Sequence, residues 1–89
     1  MMSKVRLLFT DHGWEDYLYS QREDRKKLKR INTLIEDVKR NGNLTGIGKP
    51  EALKGNLQGF YSRRIDSEHR LVYRSTSEQV EILQCRYHY

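Results

Sequence analysis

Two hydrophobic periods alternate along the chain. Val5, Leu7 and Phe9 recur at every second position within Lys4 to Phe9, the pattern of a half-buried strand. The period then lengthens: Trp14, Tyr17 and Leu18 fall at helical spacing behind Thr10 and Asp11, either of which suits a helix N-cap. Gln21 to Asp24 interrupts this stripe. A clearer one follows in Leu28, Ile31, Leu34, Ile35 and Val38, with Arg25, Lys26, Lys27, Lys29, Arg30, Lys39 and Arg40 supplying charge around it, and Asn41-Gly42 ends that helix.

Alternation returns in the last third, where Phe60 to Ile65, His69 to Arg74 and Val80 to Arg86 read as antiparallel strands joined by turns at Asp66-Ser67-Glu68 and Ser75 to Gln79. Parity assigns Tyr61, Ile65, Leu71, Tyr73, Leu83 and Cys85 to the face that packs on the helices, and Arg64, Arg70 and His88 to the other. The expected fold is a single α+β domain over residues 1–89, ordered β-α-α-β-β-β, with two helices on one face of a twisted, mainly antiparallel sheet. Asn43 to Gly59 fits neither period. Five of the six glycines lie between Gly42 and Gly59, with the only proline at Pro50. Structureless connections of this length are uncommon in compact domains and are often functional, which makes the segment an expected working surface.

Composition then narrows the chemistry. Lysine and arginine number 17 against 12 aspartates and glutamates, a formal charge of +5 that favours polyanionic partners, nucleic acid first among them. The single cysteine, Cys85, sits in an apolar strand pattern and reads as a small core residue. No apolar run approaches the roughly twenty residues of a membrane span, so a cytoplasmic protein without a membrane partner is expected. His12, His69 and His88 lack metal-ligand spacing, the glycines do not match a phosphate-binding motif, and no nucleophile elbow is present. No metal or cofactor is expected.

The tail Arg86-Tyr87-His88-Tyr89 concentrates a histidine and two tyrosines behind an apolar strand. An open sheet face with arginines, this histidine and neighbouring rings suits RNA, whose phosphates need cations and whose unstacked bases lie on aromatic rings. RNA also brings its own nucleophile, the 2′-hydroxyl. Cleavage without a metal needs only a base for that hydroxyl, a cation for the phosphorus oxygens and an acid for the departing 5′-oxygen. A plain RNA-binding domain is an alternative, distinguished by binding that weakens with salt and no cleavage.

Four blocks, Gly48-Lys49-Pro50-Glu51-Ala52-Leu53-Lys54, Gly59-Phe60-Tyr61-Ser62-Arg63-Arg64-Ile65, His69-Arg70-Leu71-Val72-Tyr73 and Cys85-Arg86-Tyr87-His88-Tyr89, together with Trp14-Glu15-Asp16-Tyr17-Leu18, resemble the YoeB/Txe family of RelE-type toxins. The resemblance implies a toxin of a bacterial type II toxin–antitoxin module: an endoribonuclease that cuts messenger RNA in the ribosomal A site, against 16S ribosomal RNA, leaving a 2′,3′-cyclic phosphate and halting translation. On matching positions Glu51 would be the general base, Arg70 the phosphate-stabilising cation, His88 the general acid and Tyr89 an orienting residue. Lys49, Lys54, Tyr61 and Arg64 would bind RNA. A YefM/Phd-type antitoxin, a homodimer and operator DNA contacted only through the antitoxin complex are further implications. Tyr61 stands where the family commonly has tryptophan, and Met1-Met2-Ser3-Lys4 adds length ahead of the first strand. A ParE-like, gyrase-binding toxin is the alternative on the same scaffold, and it would need neither Glu51 nor His88.

Overall fold

The computed structural model describes residues 5–89, in the order β1 (Arg6–Phe9), α1 (Asp11–Glu23), α2 (Arg25–Asn41), β2 (Glu51–Ala52), a single 3₁₀ turn (Gly55–Leu57), β3 (Tyr61–Arg64), β4 (Arg70–Ser75) and β5 (Gln79–Gln84). The start of the first strand at Lys4, and the residues before it, lie outside the described residues. The sheet runs β1-β5-β4-β3-β2, with β1 parallel to β5 and every other pair antiparallel. It therefore has one strand more than the expected four. Periodicity missed β2 because it is two exposed residues long, too short and too polar to show any alternation.

Thr10 caps α1, its Oγ1 accepting from the Gly13 N–H at 3.0 Å, and Asp24 caps α2 by accepting from the Lys27 N–H at 3.0 Å. Asp24 also ends α1, so the interruption read in the sequence is a one-residue joint between two helices. The α2 stripe packs as expected: Ile31, Leu34, Ile35 and Val38 are buried against Ile65, Leu71, Tyr73, Val80, Ile82 and Cys85. Each large aliphatic side chain so withdrawn from water contributes about 1.5–3 kcal/mol.

Helix α1 differs from its apolar reading. Its buried residues are Gly13, Asp16 and Ser20, whereas Trp14 is 46% exposed. The reason is close approach to β5. A Cβ on Gly13 would stand 2.6 Å from the Ile82 carbonyl oxygen, so the helix touches the strand backbone there. Trp14 and Tyr17 instead form an aromatic group with Phe9 at the sheet edge, Trp14 stacking on Tyr17 at 5.6 Å between centroids.

Strand β5 carries a bulge that the parity reading did not foresee. Tyr73 pairs with Ile82 but Val72 pairs with Gln84, leaving Leu83 as the extra residue. Val80, Ile82 and Cys85 consequently face the helices, while Leu83 is only half-buried and drops out of its expected core position. Helix α1 satisfies the disturbed backbone: the Thr10 hydroxyl donates to the Leu83 carbonyl at 3.0 Å and the Cys85 N–H donates to Asp16 Oδ2 at 3.1 Å. The bulge thus explains why the buried side chains of α1 are small and polar.

Candidate active site

On β3 the even positions face away from the helices. Ser62 lies opposite Glu51 of β2 and Val72 of β4, and Arg64 lies opposite Arg70. Like charges in directly opposed positions of one sheet face destabilise the pairing, and an anion bound beside them would relieve the repulsion. A cavity of about 240 Å³ opens on this face, lined by Lys49, Glu51, Ser62, Arg64, Arg70, His88 and Tyr89. None of the ion pairs among the described residues uses Lys49, Glu51, Arg64 or Arg70. Three cations and one carboxylate are left facing the opening.

Each side chain arrives by a different route. Arg70 is largely buried, and its Nη1 donates to the carbonyls of Asp66 (2.8 Å), His69 (3.1 Å) and Ser67 (3.4 Å) in the β3–β4 turn. No hydrogen bond among the described residues uses its Nε or Nη2, so one edge of the guanidinium is anchored and the other faces the cavity free. Glu51 and Lys49 come from the glycine-rich segment. That segment is held from beneath by Arg63, whose own side chain points to the core.

Arg63 is the largest fully buried side chain, at 0% exposure. All five of its N–H groups find acceptors: Nε donates to the Tyr73 hydroxyl (2.9 Å), Nη1 to the Asp37 carboxylate and the Ile47 carbonyl (3.0 Å), and Nη2 to the carbonyls of Gly42 and Thr45 (both 2.7 Å). The Tyr73 hydroxyl in turn donates to the Asn43 carbonyl at 2.5 Å. Burial works against the Asp37 charge, but its hydrogen bonds with Arg63 and the Ile47 N–H outweigh that cost and hold its carboxyl below the ordinary 3.8. Burial also raises the Tyr73 phenol above its usual range. The segment beyond this anchor stays close to β3, the Arg64 N–H donating to the Gly48 carbonyl at 2.7 Å.

The tail reaches the cavity by turning out of β5. The strand ends at Gln84, two residues sooner than the sequence pattern suggests, and Tyr87 takes a left-handed backbone with φ 64°. The Gln84 amide donates to the Arg86 carbonyl (3.2 Å) and the His88 carbonyl (3.4 Å), the His88 and Tyr89 rings stack at 4.7 Å, and the Ser62 hydroxyl donates to the Tyr89 hydroxyl at 3.4 Å.

Of the residues expected from the sequence, Lys49, Glu51, Arg64, Arg70, His88 and Tyr89 converge on this cavity. Lys54 and Tyr61 do not line it. Lys54 is exposed ahead of the 3₁₀ turn, and Tyr61 turns to the helix side, opposite Tyr73 with ring centroids 6.1 Å apart. The placement of Tyr61 follows from strand parity, since Ser62 and Arg64 occupy the cavity face. Sequence reasoning passed over Ser62, Arg63, Asp37 and Gln84. A lone arginine at an inward-facing strand position was the only available signal for Arg63. A depression of about 340 Å³ between the helices and the β3–β4 turn also carries lysines, but its Lys27 is already paired with Asp24 (3.6 Å) and Asp66 (3.4 Å).

A family model for the "YoeB-like toxin of bacterial type II toxin-antitoxin system" matches residues 9–89. The chain belongs to this family. It is 56% identical to Toxin YoeB of Streptomyces coelicolor over 85 residues, covering 96% of this chain and all of that one, and 51% identical to Toxin YoeB of Escherichia coli K12 with the same coverage. Among solved structures, YoeB in a heterotetrameric YoeB–YefM complex from Staphylococcus aureus superposes with a TM-score of 0.89 at 49% identity, covering 98% of this chain and all of that one. A YoeB/ParE toxin from Agrobacterium tumefaciens gives 0.90 at 45%, covering 96% and 100%. The YoeB-like fold extends to YafQ of E. coli, which shares only 17% identity at a TM-score of 0.71 over 94% of this chain and 93% of that one, so the architecture outlasts most of the sequence.

Proposed function

We propose that this type II toxin is a ribosome-dependent endoribonuclease acting in the cytoplasm, and that the cavity on the outer sheet face holds the scissile phosphodiester of a messenger RNA in the ribosomal A site. The observation that carries this reading is the convergence of one carboxylate, one imidazole and two directly opposed arginines on a single cavity. In the proposed step Glu51 takes the proton of the 2′-hydroxyl, whose oxygen attacks the adjacent phosphorus. The bond from phosphorus to the 5′-oxygen breaks, and protonated His88 gives that oxygen its proton, leaving a 2′,3′-cyclic phosphate and a 5′-hydroxyl. The free edge of Arg70, with Arg64 beside it, takes up the charge that grows on the phosphorus oxygens. Tyr89 orients the nucleotide, and Lys49 binds flanking phosphate. Lys54, exposed beyond β2, and Tyr61 extend RNA contacts outside the cavity.

The proposed partners are messenger RNA and the 16S RNA of the ribosome, a YefM-type antitoxin, a second copy of the chain in a homodimer, and operator DNA through the antitoxin complex alone. Solved relatives described as a YoeB–YefM complex and as a YoeB dimer support the two protein partners. Primer extension on messenger RNA bound to programmed ribosomes tests the reading directly. Cuts in the A site that disappear in Glu51→Ala and His88→Ala establish it; intact RNA from well-folded wild-type protein defeats it and directs attention to gyrase inhibition.

A further inference from the structure

The tail that delivers His88 and Tyr89 is fastened by a residue outside the cavity. The Tyr87 N–H donates to Nδ1 of His69 at 2.6 Å, and the Tyr87 carbonyl accepts from the Arg70 N–H at 3.0 Å. Both polar groups of the one left-handed residue in the tail are therefore held by β4 and the residue before it. The His69 ring lies 5.6 Å from the Tyr87 ring, and the Arg86 guanidinium covers Tyr87 from 4.5 Å and Tyr19 from 3.4 Å. His88 is the next residue along the chain.

We infer that His69 is a positioning residue, its unprotonated Nδ1 anchoring the Tyr87 amide so that the following His88 and Tyr89 enter the cavity. The inference rests on reading that cavity as the RNA-cleaving site. Nδ1 accepts a hydrogen bond only when the proton sits on Nε2; an imidazolium carries N–H on both nitrogens and would set one donor against another. Acidification thus works against the anchor. The titratable groups that surround His69 are Tyr19 and Glu23 of α1, Asp24 at the helix joint, Lys27 of α2, Asp66 of the turn, and Arg86 and Tyr87 of the tail. Asp66 accepts from the His69 backbone N–H at 2.8 Å, which keeps the residue in place independently of its ring.

The test compares wild type, His69→Ala and His69→Asn by amide hydrogen exchange at Tyr87, the nuclear Overhauser contact between Tyr89 and Ser62, and single-turnover cleavage on programmed ribosomes. Asparagine keeps an acceptor oxygen near the position of Nδ1 but does not titrate. Wild type is expected to protect the Tyr87 amide and to lose that protection on acidification. His69→Ala should lose it at every pH, with kcat falling about 10²-fold and KM little changed; His69→Asn should recover both protection and rate and lose the pH dependence of the exchange. A Tyr87 amide as well protected in His69→Ala as in wild type overturns the inference, as does full cleavage by a variant whose tail is free. If wild type cleaves nothing, the functional reading fails separately. The exchange and the Tyr89–Ser62 contact then decide the anchor: loss of both in His69→Ala supports it and retention overturns it. Should His69→Ala not fold, wild type against His69→Asn across pH still does so.

Discussion

The buried Arg63 of β3 and the partly exposed Asp37 of α2 form an ion pair at the edge of the core, and through it the helix layer is tied to the segment that carries Lys49 and Glu51. The same guanidinium takes the carbonyls of Gly42, Thr45 and Ile47, so one side chain orders a loop stretch whose own apolar residues, Leu44 and Ile47, stay exposed. A fully hydrogen-bonded buried arginine of this kind holds geometry at a high cost if it is broken.

Arg63→Ala removes the cationic partner of a partly buried carboxylate and leaves three carbonyls without the donor that holds them. The expected loss is about 3–5 kcal/mol, measured as a lower midpoint in urea denaturation. Arg63→Lys restores the charge but not the five-donor fork and should recover only part of it.

Stability should fall with acid through Asp37 and Asp66. Burial opposes ionisation in both, but Asp37 is held down by Arg63 and the Ile47 N–H, and Asp66 by the Glu68 and His69 N–H groups and by Lys27. A carboxyl with a folded pKa below its ordinary 3.8 adds stability that is complete above that value and disappears as the pH falls through the lower folded one. Melting temperatures taken downward from pH 7 should therefore drop most steeply below about pH 4, and Asp37→Asn should show a shallower drop from a lower starting point.

Glycine substitutions in the loop separate backbone strain from contact. Gly55 has φ 62° and nothing within 4 Å of a built Cβ, so Gly55→Ala should cost about 1–2 kcal/mol and leave RNA cleavage intact. Gly46 has φ 125° and its Cβ would stand 1.9 Å from Asp37 Oδ2 and 2.8 Å from Arg63 Nη1. Gly46→Ala should cost more than Gly55→Ala in denaturation and should also reduce cleavage, because the Arg63 anchor must shift.

Arg70→Lys tests the division of labour within one guanidinium. Lysine keeps the charge but cannot both grip the turn carbonyls and present a free edge to phosphate. Single-turnover cleavage should fall about 10²–10³-fold, with much smaller loss of RNA affinity in the complex.

Cys85 should be inert in the native protein. Burial, with Asp16 nearby, pushes its thiol up to about 12, leaving almost no thiolate at neutral pH. A thiol reagent at pH 8 should modify it only as fast as the chain unfolds, and Asp16→Asn should not make it reactive while the fold persists.

Much of this molecule is written in local pattern. The stripe Ile31, Leu34, Ile35 and Val38 specifies α2 because helical period depends only on residues within a few turns, and the alternation around Tyr61, Leu71 and Tyr73 specifies the strands for the same reason. The blocks around Glu51, Arg70 and His88 also made the cavity residues legible one at a time. Their meeting was not legible. It depends on the bulge at Leu83, on the left-handed Tyr87 that turns the tail back, and on Arg63 gathering carbonyls from a loop some twenty residues away. Each of these is a case in which a backbone group left unpaired by one segment is satisfied by another distant in sequence. Hydrogen-bond satisfaction across the fold is a property of the folded chain as a whole, so only the tertiary structure decided where the tail and the loop would come to rest.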